Sequence, residues 1–424
     1  MRFQSFSLIL LWLLMACSSP ATAPVREAEP TLQVTPAAID EAQEDNSVAQ
    51  EANANSEQIA DATPTLTIEA EPTVQATEQA SSTSEIHEPI IEQIKDAYPS
   101  LNFLTTEIDT PIEQSEWVES SPEEQGMDST QLAKLAPHIE DELAQINSVV
   151  VVRNGVLVYE YYKEGRTAHS GDLVWSITKS VTSILIGIAV DEGLLELDQT
   201  LAEILDAEQL AESDPTLATV TVHDLLTMTG GMVCSRDSCH DKPLSKMLAT
   251  KLETEPGNVF IYDTGATHLL SAVLQQATGM PLDQYAAEKL FAPLGIEPPP
   301  WEIDTEGNPF GGKGLAMLPR DMAKFGQLLL DEGSWQGKQV VSANYIDIAT
   351  QNQVSDVTLT KYGYLFWLNE EGDDKIISAV GYGGQYITIV PKHDLVVVIT
   401  SDFLPPRDGN DSIIEPFIID AIVE

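Results

Sequence analysis

Ser176-Ile177-Thr178-Lys179-Ser180-Val181-Thr182-Ser183-Ile184-Leu185-Ile186-Gly187-Ile188-Ala189-Val190 is the stretch from which the rest of this chain is read. From Ser180 onward it has the length and apolar content of a buried helix. Asp191-Glu192-Gly193 follows, with glycine at a C-cap position. On a helix, residues three apart are neighbours, so the Lys179 amine can sit beside the Ser176 hydroxyl. A serine hydroxyl is a poor nucleophile until a base takes its proton. Lysine is ordinarily protonated at neutral pH, with a reference pKa of about 10.4, but burial disfavours its charge and can make it a base. A serine in the first turn also keeps a backbone N–H outside the helical ladder, available to an oxyanion. Ser176 to Lys179 is the only Ser-x-x-Lys in the chain. Two common residues meet at that spacing about once by chance in a chain of this length, and alone the pair more often marks an exposed helix start. The context argues for chemistry: Lys179 heads a run with no further charge before Asp191, and a lysine there needs a reason to be buried.

Outward from this helix, Ser148 to Arg153 and Val156 to Tyr161 flank Asn154-Gly155, a two-residue hairpin signal. Residues 176 to about 331 are mostly helical in pattern. Val222 to Thr229 ends at Gly230-Gly231, Thr267 to Ala277 ends near Gly279, and Arg320 to Leu330 ends near Gly333. Strands are predicted at Gly363–Leu368, Lys375–Val380, Tyr386–Val390 and Leu395–Ser401, and an amphipathic helix over about Asp411–Ile422. Strands at both ends around a helical middle suggest one mixed sheet. No internal repeat is visible.

Two further motifs lie in line. Pro256-Gly257-Asn258-Val259-Phe260-Ile261-Tyr262-Asp263-Thr264-Gly265 brings Tyr262 to a turn just before a helix. A tyrosine hydroxyl can relay a proton between a nucleophile, a lysine and a leaving group; taken singly, Tyr262 reads first as a half-buried packing residue. Gly381-Tyr382-Gly383-Gly384-Gln385 precedes a strand, where glycines permit close backbone approach to a ligand or simply turn a hairpin.

Taken together and in this order, Trp-Ser-Ile-Thr-Lys-Ser, Leu-Leu-Thr-Met-Thr-Gly-Gly, Pro-Gly-x-x-Phe-x-Tyr and Tyr-Gly-Gly-Gln resemble the class C β-lactamase-related serine hydrolases. That family includes penicillin-recognising peptidases, esterases and nylon-oligomer hydrolases. The resemblance covers roughly residues 115–402. It implies an α/β (α+β) architecture of the β-lactamase/transpeptidase type, an antiparallel sheet flanked by helices with a helical subdomain. It also implies Ser176 as nucleophile, Lys179 as its base partner and Tyr262 as the second-box tyrosine. Tyr382, Gly383 and Gly384 match the third box, where they would contact substrate, and the N–H of Gln385 would complete an oxyanion hole with that of Ser176. The chain departs from the β-lactamases in two places. Their second box is usually Tyr-x-Asn, here Tyr262-Asp263-Thr264. Their third box usually opens with lysine, as Lys-Thr-Gly, and Tyr382 stands here instead. That lysine supplies a charge-assisted contact to a substrate carboxylate; its replacement favours a neutral or cationic ester or amide, as in the esterase and nylon-oligomer-hydrolase-like branch.

The N-terminus reads as a lipoprotein signal peptide, residues 1–17. Arg2 is a short positive region, Ser7 to Met15 an apolar one too short to span a bilayer, and Leu14-Met15-Ala16-Cys17 is similar to a bacterial lipobox with Cys17 as the lipidation site. No other segment is long and apolar enough to cross a membrane. Residues 18–96 are rich in Glu, Ala, Thr, Pro, Gln and Ser and poor in aromatics, a composition that cannot offset ordering entropy. They are expected to be a disordered acidic linker, spanning roughly 50 Å root-mean-square as a coil. Residues 97–424 form the hydrolase domain. Net charge is −46, with +1 in residues 1–17 and −14 in the linker, so the domain itself carries −33. That field makes nucleic acid and anionic headgroups poor partners. Of three cysteines, Cys234 and Cys239 share a polar loop, and a local disulfide is expected there in an exported chain. A metal site from these two and His240 has too few ligands at an unusual spacing.

The expectation is thus an extracytoplasmic, membrane-anchored serine hydrolase, lipid-tethered and needing no metal or organic cofactor. It would take a small-molecule or peptide-like ester or amide through a Ser176 acyl-enzyme. The alternatives are a β-lactamase or D,D-peptidase, and a non-catalytic binding protein that kept the fold.

Overall fold

The centre of the sheet is made by apolar runs from opposite ends of the domain. β1 (Ile146–Arg153) lies antiparallel to the C-terminal strand Leu395–Ser401, with Val149 opposite Ile399, Val150 opposite Val398 and Val151 opposite Val397. The structure, a computed structural model, describes residues 117–423 apart from 212, 234–240, 355–360, 372–373 and 403–409. β1 turns through Asn154 (φ 52°) and Gly155 (φ 73°) into β2 (Val156–Tyr162). Two successive positive φ angles make the turn whose twist matches paired strands. The remaining strands are β3 (Lys361–Tyr362), β4 (Trp367–Glu371), β5 (Asp374–Gly381), β6 (Gln385–Val390) and β7 (Leu395–Ser401), in the order β2-β1-β7-β6-β5-β4-β3.

Every pairing in this sheet is antiparallel, as the family resemblance implied, whereas the strand pattern alone suggested a mixed sheet. The reason is topological. All neighbours except β1 and β7 follow one another in sequence and are joined by short connections, which can only reverse direction. β1, β6 and β7 are buried along nearly their whole length. Apolar side chains on both sides of a strand require cover on both faces, which is why Val149 to Val152 do not alternate with polar residues.

Three helices matter most for the site. α1 (Ile177–Asp191) packs on β5 and β6, α2 (Thr264–Thr278) packs against α1, and α3 (Pro319–Leu330) lies across β1, β6 and β7. α1 is buried from Ile177 to Ala189, as its unbroken apolar run requires. α2 starts three residues earlier than the pattern predicted: Asp263 caps it by accepting from Ala266 N (3.0 Å), and Gly279 ends it at φ 70°. A ribbon pairing Asp172–Leu173 with Ala316–Met317 ties the approach to α1 to the chain just before α3.

Three predicted elements are shorter or differently built. Gly363–Phe366 is a tight turn, so the strand begins at Trp367. A Cβ on Gly363 would stand 2.0 Å from the Ala349 carbonyl oxygen, and Leu365 adopts φ 62°. The helix at Val222 stops at Leu226, because Met228 takes φ 59°. The C-terminal helix is a 3₁₀ turn over Asn410–Ile413 continuing as wide π-type turns over Ile414–Ile419. Pro416 has no N–H for an ordinary helical ladder there. Among the described residues no helix is long and apolar enough to cross a membrane.

Candidate active site

Ser176 is the N-cap of α1 and is partly exposed. Trp175 just before it holds φ 50°, an uncommon angle for a bulky side chain, at the point where the chain turns from the Asp172–Leu173 ribbon into the helix. One turn on, Lys179 is buried at 1% exposure. Its Nζ donates to Ser176 Oγ at 3.0 Å, to Thr264 Oγ1 at 3.0 Å and to the Gly312 carbonyl at 2.7 Å. This arrangement serves both protonation states. An ammonium can donate to all three oxygens; a neutral amine can donate to Gly312 and Thr264 while its lone pair accepts the Ser176 proton.

Gly312 belongs to a backbone strap gripped by side chains. Four consecutive carbonyls each accept one: Pro309 from Ser271 Oγ (2.9 Å), Phe310 from Trp301 Nε1 (2.9 Å), Gly311 from Thr182 Oγ1 (2.7 Å) and Gly312 from Lys179. The strap runs so close to α2 that only glycine fits. A Cβ on Gly311 would stand 2.1 Å from the Thr267 carbonyl oxygen, and one on Gly312 would stand 2.2 Å from Thr267 Oγ1. Buried backbone oxygens need partners; here one of those partners is the lysine beside the candidate nucleophile.

Tyr262 is half-buried, and the Lys179 Nζ lies 5.1 Å from its ring centroid, within cation–π reach. The ring stacks on Trp367 (5.4 Å, 29°) and meets Tyr362 edge-on (6.3 Å). The box before it is held from the other side by Met228, whose carbonyl accepts from Ile261 N (2.8 Å) and whose sulfur accepts from Asp263 N (3.4 Å). Burial, with Tyr262 nearby, pushes the Tyr362 hydroxyl well above its ordinary pKa. The ring that lies at the Lys179 amine is that of Tyr262.

The third motif arrives from the sheet. Gly381 closes β5 so near the nucleophile turn that a Cβ would stand 2.2 Å from the Val174 carbonyl oxygen. Tyr382 meets Trp175 edge-to-face at 5.7 Å and 80°. Gly383 and Gly384 take φ 83° and 88°, and the Gly383 carbonyl accepts from Ser401 Oγ. The Gln385 side chain is committed to the backbone of Ser401, donating to its carbonyl (2.7 Å) and accepting from its N–H (3.2 Å). Gln385 can therefore serve a ligand through its backbone.

The structure thus brings Lys179 to Ser176 and to the Tyr262 ring, and Tyr382, from the β5–β6 hairpin that continues through Gly383–Gln385, to Trp175 beside Ser176. Cys17, Cys234 and Cys239 lie outside the described residues. Sequence reading missed the roles of Thr264, Trp175 and Gly312. Thr264 takes the third place of the second box, usually asparagine in β-lactamases, so its position was a usable signal; Gly311-Gly312 gave none, because its work depends on what packs over it. Among the described residues no cluster of three His, Cys, Asp or Glu is placed to hold a metal.

Comparison with known proteins places the chain in a family. Residues 135–414 match the family described as Beta-lactamase. A 6-aminohexanoate-dimer hydrolase from Paenarthrobacter ureafaciens is 23% identical over 309 residues, covering 65% of this chain and 78% of the relative. Esterase EstB from Burkholderia gladioli is 26% identical over 175 residues, 35% of this chain and 44% of the relative. The crystal structure of a penicillin-binding protein from Bacillus halodurans shares the fold at a TM-score of 0.55 and 18% identity, covering 67% of this chain and 98% of that one. Since the family match spans well over half of its length, the chain belongs to the beta-lactamase family and is a serine hydrolase.

Proposed function

We propose that this protein hydrolyses a neutral or cationic ester or amide through a Ser176 acyl-enzyme. The observation that carries the reading is the buried Lys179 amine 3.0 Å from Ser176 Oγ, with Thr264 and Gly312 holding its other bonds. Ser176 Oγ bonds to the substrate carbonyl carbon as its proton passes to Lys179. The N–H groups of Ser176 and Gln385 receive the oxyanion. Lys179, with Tyr262 relaying, returns the proton to the leaving alcohol or amine as its bond to carbon breaks. A water then attacks the acyl ester by the same route, freeing the acid and the Ser176 hydroxyl. Tyr382, edge-on to Trp175, offers no charge for a substrate carboxylate. Relatives named as an amide hydrolase and an esterase fit that substrate class. The lipobox-like Cys17 and the acidic linker support a tether that holds the domain outside the cytoplasm.

The chemistry is tested by a serine-directed fluorophosphonate together with a panel of p-nitrophenyl esters, linear amides, D-peptides and nitrocefin. Wild type is expected to be labelled and to turn over esters or amides, and Ser176→Ala, which removes one oxygen, to do neither while keeping its fold. Label on the Ala variant would sink the nucleophile assignment, and efficient nitrocefin turnover by wild type would favour a β-lactamase. For the tether, Cys17→Ser is expected to move the protein from the membrane fraction to the soluble one; retention in membranes would overturn the anchor.

A further inference from the structure

The polar groups beneath the strap carry a second layer of design. His268 lies on the α2 face that also carries Thr264 and Thr267, at helical spacings of three and four. It is buried at 2% exposure. Its Nδ1 faces the Gly311 N–H at 3.4 Å and its Nε2 faces Asp304 Oδ2 at 3.2 Å. The Gly311 amide can only donate, so Nδ1 accepts and the ring proton sits on Nε2, donating to Asp304. Asp304 is itself fixed: its carboxylate accepts from the backbone N–H groups of Leu244 (2.8 Å), Glu306 (2.8 Å) and Asn308 (2.9 Å). Burial works to raise the Asp304 pKa, but these bonds prevail and bring it down to about 2.

We propose that His268 is a positioning residue for Lys179. As the Nε2–H tautomer it transmits the rigid Asp304 anchor to the Gly311 amide, and so fixes the Gly311–Gly312 segment, whose two carbonyls meet Thr182 and Lys179. The line runs Asp304, His268, Gly311–Gly312, Lys179, Ser176, each step a hydrogen bond except for the two residues of backbone between the Gly311 N–H and the Gly312 carbonyl. Thr182 from α1 holds the Gly311 carbonyl at the same time, so the strap is fixed from both helices. A strap free to shift would leave Lys179 rotating away from Ser176, and a misplacement of about 1 Å can cost up to about a hundredfold in rate. The proposal rests on the reading of Lys179 as the base of Ser176.

Two variants separate positioning from bulk support. His268→Asn can present its amide oxygen where Nδ1 sits and keep the bond to Gly311, while losing Asp304. His268→Gln can present its amide nitrogen where Nε2 sits and keep Asp304, while losing Gly311. The measurement is kcat and KM for p-nitrophenyl acetate per active site titrated with fluorophosphonate, alongside thermal melts. His268→Gln is expected to lose about tenfold to a hundredfold in kcat with KM unchanged, and His268→Asn, which keeps the Gly311 bond but unties it from Asp304, to lose a smaller part of kcat even where it melts as low. Wild-type kcat in the Gln variant, or losses in both variants that track their melting points, would overturn the proposal. If His268→Asn does not fold, the Gln variant decides alone: a kcat loss supports positioning, and a KM loss or no change overturns it. A wild type that fluorophosphonate does not label would instead overturn the reading of Ser176 and Lys179.

Discussion

The two flanks of Ser176 handle polarity in opposite ways. On one side Lys179 is buried among oxygens supplied by α1, α2 and the strap, with the Tyr262 ring beside it. On the other, Tyr382 and Trp175 meet as aromatic edges at a partly exposed surface, over a hairpin locked from behind by Ser401 and Gln385. The first flank keeps a buried amine in low dielectric because oxygens answer its N–H groups. The second presents two aromatic rings that meet edge-to-face. Rate should therefore depend on the first flank and selectivity on the second.

The sharpest way to break that division is on the lysine flank. Lys179→Ala and Tyr262→Phe should each slow acylation by about 10²–10⁴-fold, the usual worth of general acid–base help, and Lys179→Ala should also lower the melting point by leaving a space among buried oxygens. Rapid-quench acylation with p-nitrophenyl acetate measures this, and a wild-type rate in either variant removes that residue from proton transfer.

On the aromatic flank the effect should be smaller and selective. Tyr382→Lys restores a cation for a substrate carboxylate. With a charge-assisted bond worth roughly 1.5–3 kcal/mol, the ratio of nitrocefin to p-nitrophenyl ester kcat/KM should rise about tenfold to a hundredfold. An unchanged ratio, even with both activities reduced, would mean that this flank does not read substrate charge.

The smallest expected effect belongs to the support beneath the lysine flank. Burial holds the His268 pKa below its ordinary 6.5, against the opposing pull of Asp304. Asp304 and Glu306 face it as acids and Lys313 as a cation, and Lys313 is in turn paired with Asp241 and Glu302. With the folded pKa depressed, the unfolded chain binds the proton first as pH falls below 6.5, so stability is full above that value and declines beneath it. The melting point should drop between neutral pH and about pH 5, and the drop should shrink in His268→Gln. A slope in that window equal in both proteins would assign it to other groups.

How much of this was legible beforehand differs by region. The β1–β2 hairpin was readable because Asn154-Gly155 states its turn locally, and β7 because seven consecutive residues, Leu395 to Ser401, need burial. α1 and its Ser176–Lys179 pair were readable because helical spacing is a property of the chain alone. Sheet direction was not, because apolar strands look alike whether their neighbours run parallel or antiparallel. Nor was the turn at Gly363–Phe366, whose apolar residues resemble a strand until Ala349 is packed against Gly363.

By itself, then, the sequence determined which residues are three apart on a helix, where glycines permit positive φ, and that Tyr382 takes the place of a lysine. These are covalent facts or short-range ones. Only the tertiary structure decided that Gly312, 133 positions from Lys179 in the chain, supplies its carbonyl, that Thr264 takes a share of the amine, and that His268 stands behind the strap. A carbonyl carries no side chain by which sequence could mark it. Its role arises when α1 and α2 close on the 309–312 segment and each buried oxygen must find a donor.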